Sequence, residues 1–129
     1  MIVDTSIIVA LSLNEPTVEW IRSALDEADN EALRMSWVNV AEVSMILGRP
    51  HPLSVDALEP LLDGLGVEIL QADHDVVRMA TTARFRFPLN FGDCFAYAHA
   101  KLRDEALLTL DDDFLKTDLE RLLHPRRRR

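Results

Sequence analysis

The chain has 129 residues, 48% hydrophobic and 28% charged, which is the length of one domain with one core. Its single cysteine, Cys94, excludes an internal disulfide and a cysteine-built zinc cage. No apolar run reaches the roughly 18 residues of a membrane span, and the N-terminus lacks signal-peptide zones, so a soluble cytoplasmic protein with no membrane partner is expected. The net charge is −8, and because four of the 14 basic residues are Arg126 to Arg129, residues 1–125 carry −12. That balance by itself opposes a nucleic-acid partner, since phosphate binding runs on positive charge.

Met1 to Val3 reads as a short buried strand ending at Asp4-Thr5-Ser6, whose oxygens can cap a helix continuing through Ile7 to Leu11. Pro16 opens a helix over Thr17 to Ala28, with Val18, Ile21, Leu25 and Ala28 on one face. Arg34 to Trp37 is a second short strand, and Asn39 to Leu47 a helix with Val40, Val43, Ile46 and Leu47 as its stripe. Gly48-Arg49-Pro50-His51-Pro52 breaks the chain before a helix over Ser54 to Leu62. Gly64 and Gly66 close that helix, and Val67 to Leu70 is a strand. Asp73 caps a helix carrying Val76, Ala80 and Ala83, which runs out before Pro88. Gly92-Asp93 starts a helix that is apolar all round, which predicts deep burial. Ala106 to Thr109 is the last strand, followed by Asp111-Asp112-Asp113-Phe114. Alternating short strands and helices predict an α/β domain with a parallel sheet covered on both faces. The functional crevice of such a sheet lies beyond the carboxyl ends of its strands.

The acids divide along that line. Glu19, Asp26, Glu27, Asp29 and Glu31 decorate one helix and its exit as solvated surface. Asp4 and the Asp111 to Asp113 run instead follow strands, Asp93 opens the most buried helix, and Glu42 flanks an apolar stripe. Singly, each has a structural reading as a cap, a surface glutamate or a turn. Converging on one crevice, they would repel one another unless a cation compensates, and a hard divalent ion suits oxygen ligands.

Four segments carry a resemblance: Met1 to Ser6; Val38-Asn39-Val40-Ala41-Glu42-Val43; Leu89-Asn90-Phe91-Gly92-Asp93-Cys94-Phe95-Ala96-Tyr97-Ala98; and Leu107 to Asp118. They resemble, in order, the landmarks of the PIN-domain ribonucleases and are most similar to the VapC toxins of bacterial VapBC toxin–antitoxin modules. The resemblance implies a PIN-like three-layer α/β/α domain with a central, mainly parallel sheet over residues 1–125, followed by a basic tail at 126–129. It also implies a Mg2+-dependent endoribonuclease, with Mn2+ as a substitute ion, that cuts RNA using metal-activated water. Asp4 and Asp93 would be direct ligands, Glu42 would orient or activate water or bind a second ion, and Ser6 or Thr5 would hold Asp4 or a metal-bound water. A Thr-x-Asp pattern selects Asp111 as the fourth acid; alignment on a Gly-Asp-Asp-Phe variant selects Asp112, the assignment followed here, with Asp111 supporting and Asp113 capping the next turn. Related toxins carry a basic loop before the Leu89 segment that this chain lacks. RNA contacts then fall to Arg84, Arg86, Lys101, Arg103 and the arginine tail.

The implied partners are RNA, a VapB-like antitoxin that inserts a basic side chain near Asp4 and Asp93, and a second copy in a homodimer or toxin–antitoxin hetero-oligomer. The exposed face of the Val18 to Ala28 helix and the Trp37 region are candidate contact surfaces. His51, His74, His99 and His124 show no zinc-type spacing, and Cys94 reads as a core residue. A receiver domain would need an aspartate pair after the first strand and a lysine after the last, and neither is present. The alternative is a catalytically weak PIN-like module that binds RNA or protein without cutting.

Overall fold

Five short strands pair in the order β3-β2-β1-β4-β5, every neighbouring pair parallel, in a computed structural model that describes residues 1–29, 31–48 and 54–127. In chain order the elements are β1 (Ile2–Val3), α1 (Thr5–Leu13), α2 (Val18–Ala28), β2 (Leu33–Ser36), α3 (Trp37–Leu47), α4 (Val55–Gly64) and β3 (Val67–Leu70). They continue with α5 (His74–Arg86), α6 (Phe91–Arg103), β4 (Leu107–Leu108), a 3-10 turn (Asp112–Lys116) and β5 (Leu122–Leu123).

The strands separate two apolar layers because successive residues point to opposite faces. Ile2, Leu107 and Leu122 face Val76, Ala80, Leu89, Ala96 and Tyr97 of the α5–α6 side. Val3, Leu108 and Leu123 face Ile7, Ile21, Val40, Val43, Leu58 and Leu62 of α1 to α4. The domain is therefore α/β, its parallel sheet flanked by helices on both sides as expected. Nine successive residues, Gly92 to Ala100, are buried on α6, which matches its all-round apolar character.

The structure adds one strand that the pattern did not mark. Leu122–Leu123 is too short for a periodic signal, yet it pairs in register with Leu107–Leu108. The second strand ends at Ser36, whose hydroxyl accepts the Val38 amide, so Trp37 begins a helix instead of ending a strand. The breaker at Arg49 to Pro52, with His51, lies outside the described residues, as do Arg128 and Arg129. No described helix is long and apolar enough to cross a membrane.

All strands are parallel, so their carboxyl ends share one edge, and Glu105 ties the opposite edge. It accepts from the Met1 ammonium at 2.8 Å, from Arg34 at 2.6 Å and from Arg103 at 2.6 Å. Burial opposes its charge, but bonds from the ammonium and Arg103, with the charge of Arg34, hold the carboxyl at about 2. A depressed folded value means the stabilisation is complete above the unfolded value near 4.5 and is lost as pH falls toward 2. Glu105→Gln is expected to cost about 2 kcal/mol at neutral pH, as for loss of one partner in a mostly buried pair. In urea melts its deficit against the wild type should vanish near the acid end; a deficit constant with pH would refute this assignment.

Candidate active site

Asp4 leaves β1 as the N-cap of α1, and both of its carboxylate oxygens are engaged. Oδ1 accepts from the Ser6 amide at 3.1 Å and the Ser6 hydroxyl at 2.6 Å; Oδ2 accepts from the Thr109 hydroxyl at 2.5 Å. Each hydroxyl also accepts an amide from beyond β4: Ser6 Oγ that of Leu110 at 3.0 Å, and Thr109 Oγ1 that of Asp111 at 3.0 Å. The ends of β1 and β4 are thus knitted together under Asp4. Burial pushes the Asp4 carboxyl up to about 6 in spite of the hydroxyl bonds, and the charge of Asp111 adds to the rise.

Asp93 stands in the first turn of α6. The Asn90 side chain accepts the Asp93 amide at 2.8 Å, and the Asp93 carboxylate accepts the Asn90 amide at 3.4 Å, a reciprocal cap that orients the acid. Asp111, the cap of the 3-10 turn, accepts the Asp113 amide at 2.9 Å. Carboxylate oxygens of Asp93, Asp111 and Asp113 all lie within 4.8 Å of one another. Burial, then the charges of Asp111 and Asp4, push the Asp93 carboxyl well above the ordinary carboxylate range. Oxygen-only donors at this spacing, with a proton affinity raised by mutual repulsion, are what a hard divalent cation fits.

Glu42, midway along α3, takes 2.7 Å and 2.8 Å hydrogen bonds on Oε1 from the Thr5 hydroxyl and the Asn39 side-chain amide. Asn39 also donates to the Gly92 carbonyl at 3.1 Å, while its buried Oδ1 has no hydrogen-bond partner among the described residues. A Cβ on Gly92 would overlap the Glu42 carboxylate. The bare backbone at Gly92 is what lets Glu42 lie against the first turn of α6, beside Asp93. Asn39 and Gly92 were not singled out from the sequence. The available signals were an asparagine three residues before Glu42 on the same helix face and a glycine directly before Asp93.

The expected site residues therefore divide. Asp4, Asp93, Asp111 and Glu42 share one edge, with Ser6 holding Asp4 and Thr5 holding Glu42. Asp4 lies outside the trio, close enough to raise the Asp93 carboxyl. Asp112, assigned as the fourth acid, is 3.2 Å from His124 Nε2 and 2.9 Å from Arg126 Nη1 and does not join the cluster. Asp111 and Asp113 carry oxygens near Asp93, whereas the Asp112 carboxylate is turned to His124 and Arg126. Arg86 and Lys101 both bind Asp118, at 3.4 and 3.3 Å, together with the Tyr97 hydroxyl at 2.6 Å. Arg103 binds Glu105, and both Lys101 and Arg103 lie on the last turn of α6, about 12 Å or more from Asp93 along the axis. Of the four expected RNA contacts, exposed Arg84 has no acidic partner among the described residues.

Residues 1–120 match the family model of the PIN domain. This chain belongs to the PIN-domain family. Within it the chain is similar to ribonuclease VapC36 of Mycobacterium tuberculosis, 38% identical over 93% of this chain and 91% of that protein. It is also similar to ribonuclease VapC42 of the same organism, 35% identical over 92% of this chain and 96% of the relative. A toxin–antitoxin complex from Klebsiella pneumoniae contains a chain of the same fold, with TM-score 0.71 at 20% identity, covering 95% of this chain and 94% of that one. The PIN-domain assignment agrees with the resemblance carried by the four acidic segments.

Proposed function

We propose that this PIN-domain protein is the toxin of a toxin–antitoxin module, a Mg2+-dependent endoribonuclease that hydrolyses RNA phosphodiesters. The observation that carries this reading is the convergence of Asp93, Asp111 and Asp113 to within 4.8 Å at the strand-end edge, with Asp4 beneath them. The naming of its relatives as VapC ribonucleases supports it.

Asp93, Asp111 and Asp113 would hold the ion, and Asp4 would back them through its charge and the Ser6 and Thr109 network. When bound, such an ion polarises a phosphodiester and lowers the pKa of a water. Glu42, fixed by Thr5 and Asn39, is placed to accept a proton from the attacking water. An acidic chain grips RNA through few cations, and Arg84, exposed and without an acidic partner among the described residues, would carry phosphate contacts.

The antitoxin would present a basic side chain to the acidic edge, because a guanidinium pairs with clustered carboxylates. Large exposed apolar side chains lie at Phe85, Phe91 and Met45, at 86%, 72% and 69% exposure. They favour a partner surface on α5, α6 and α3 over the α2 face, while Trp37 is 37% exposed at the start of α3. Pairing of two copies remains part of the proposal.

The test is end-mapping of total RNA incubated with purified protein, with and without Mg2+. Discrete ends should form with Mg2+ only and disappear in Asp4→Ala, and cleavage should fall steeply as salt rises. Equal cleavage in EDTA, or by Asp4→Ala, would defeat the proposal.

A further inference from the structure

We infer that the C-terminal segment belongs to the framework of the acidic site: His124, acting through Asp112, fixes the turn that holds Asp111 and Asp113 against Asp93. The inference rests on the cation-binding reading above.

Three consecutive aspartates repel one another, and on a short 3-10 turn little in the local backbone selects which of them face Asp93. The contacts that make the selection come from across the sheet. β5 pairs in register with β4, and the Thr109 amide donates to the Leu123 carbonyl at 3.1 Å, so the residue after β5 arrives beside the turn after β4. That residue is His124, 3% exposed. Its Nδ1 accepts the Arg126 amide at 3.0 Å, which in the neutral ring leaves the proton on Nε2. Nε2 faces Asp112 Oδ1 at 3.2 Å, a close electrostatic contact without hydrogen-bond alignment. Arg126 reaches the other Asp112 oxygen at 2.9 Å. Arg127 is fastened beyond, donating to the carbonyls of Leu119 at 2.8 Å and Glu120 at 3.1 Å. The Arg126–Asp112 pair is exposed and weak alone, so the constraint runs chiefly through the buried ring. Asp113 has its own distant pair with Lys116 at 3.9 Å, which does not orient it toward Asp93.

His124 and Arg126 are thus positioning residues, and charge provides a clean discriminator. Removing the Arg126 cation beside an anionic site should strengthen cation binding if Arg126 acts only through its field, and weaken it if it positions the turn. The experiment is Mn2+ binding to the full chain, followed by the EPR signal of free Mn2+, with thermal melts confirming that each variant is folded. His124→Ala is expected to weaken Mn2+ binding about tenfold, the lower end for groups that orient metal ligands, and Arg126→Gln, whose pair is exposed, about threefold. His124→Gln, whose amide can accept from the Arg126 amide and donate to Asp112, should recover most of the affinity. Should His124→Ala fail to fold, Arg126→Gln and His124→Gln decide the matter alone. Wild-type or tighter affinity in Arg126→Gln, or wild-type affinity in a folded His124→Ala, would overturn the inference. Absence of Mn2+ binding by the wild type would overturn the cation-site reading itself, and this inference with it.

Discussion

Asp93→Asn should abolish Mg2+-dependent RNA cleavage, by on the order of a thousandfold, and at the same time raise the melting temperature of the metal-free protein at neutral pH. The two effects share a cause. Burial and the charges of Asp111 and Asp4 raise the folded-state pKa of Asp93, and burial raises Asp4 from 3.8 to about 6. A carboxyl raised on folding binds more protons in the native than in the unfolded state. Its stabilisation is therefore greatest at low pH and declines as pH climbs from about 3.8 through the folded value. For Asp4 that loss amounts to about 3 kcal/mol across the window, at 1.36 kcal/mol per pH unit.

At neutral pH the metal-free wild type bears most of this cost, from burial first and repulsion second. Asparagine at 93 removes the ionisable group and can still accept the Asn90 amide, so the helix cap survives. A gain of about 1 kcal/mol, or several degrees, is expected in EDTA by scanning calorimetry. Saturating Mg2+ should raise the wild-type melting temperature and leave Asp93→Asn nearly unmoved. A variant less stable than the wild type in EDTA, or equally stabilised by Mg2+, would show that the acids are not held in mutual repulsion.

Gly92→Ala is expected to lose cleavage by about a hundredfold while folding normally. Alanine in a helix is otherwise favoured over glycine by up to about 1 kcal/mol, so propensity alone predicts a benign change. Here the added methyl meets the Glu42 carboxylate, which Thr5 and Asn39 hold against the α6 backbone. The glutamate tip is the softest part of that contact, so it is the part that moves. Glu42→Gln should give a loss of similar size. The double variant Gly92→Ala with Glu42→Gln should be little worse than either single one, since both act through one side chain. Additive losses, or full activity in Gly92→Ala, would mean that Glu42 does not work from this position.

Much of the frame was readable along the chain because it depends on neighbours. The Asp4-Thr5-Ser6 cap follows an apolar strand, Asp73 caps the Val76 to Ala83 stripe, and Gly92 to Ala100 is apolar all round; each signal lies within a few residues. The exceptions are instructive. β5 has two residues and no period, and it exists because Leu107–Leu108 offers a parallel partner. The basic residues looked available because ion pairing is not visible in sequence, whereas in the fold Asp118 takes Arg86 and Lys101 and Glu105 takes Arg103.

The net charge of −8 acquires its meaning in the same way. Sequence alone determined that acids follow the strands and open the most buried helix, because strand ends and caps are local features of spacing and composition. Tertiary structure decided which of them meet. Asp111 and Asp113 lie beside Asp93, while Asp112 meets a histidine and an arginine more than ten residues further along the chain. The need for glycine at 92 depends on a glutamate fifty residues before it. Both are contacts between distant segments, and no local pattern encodes the direction in which a side chain will find its partner.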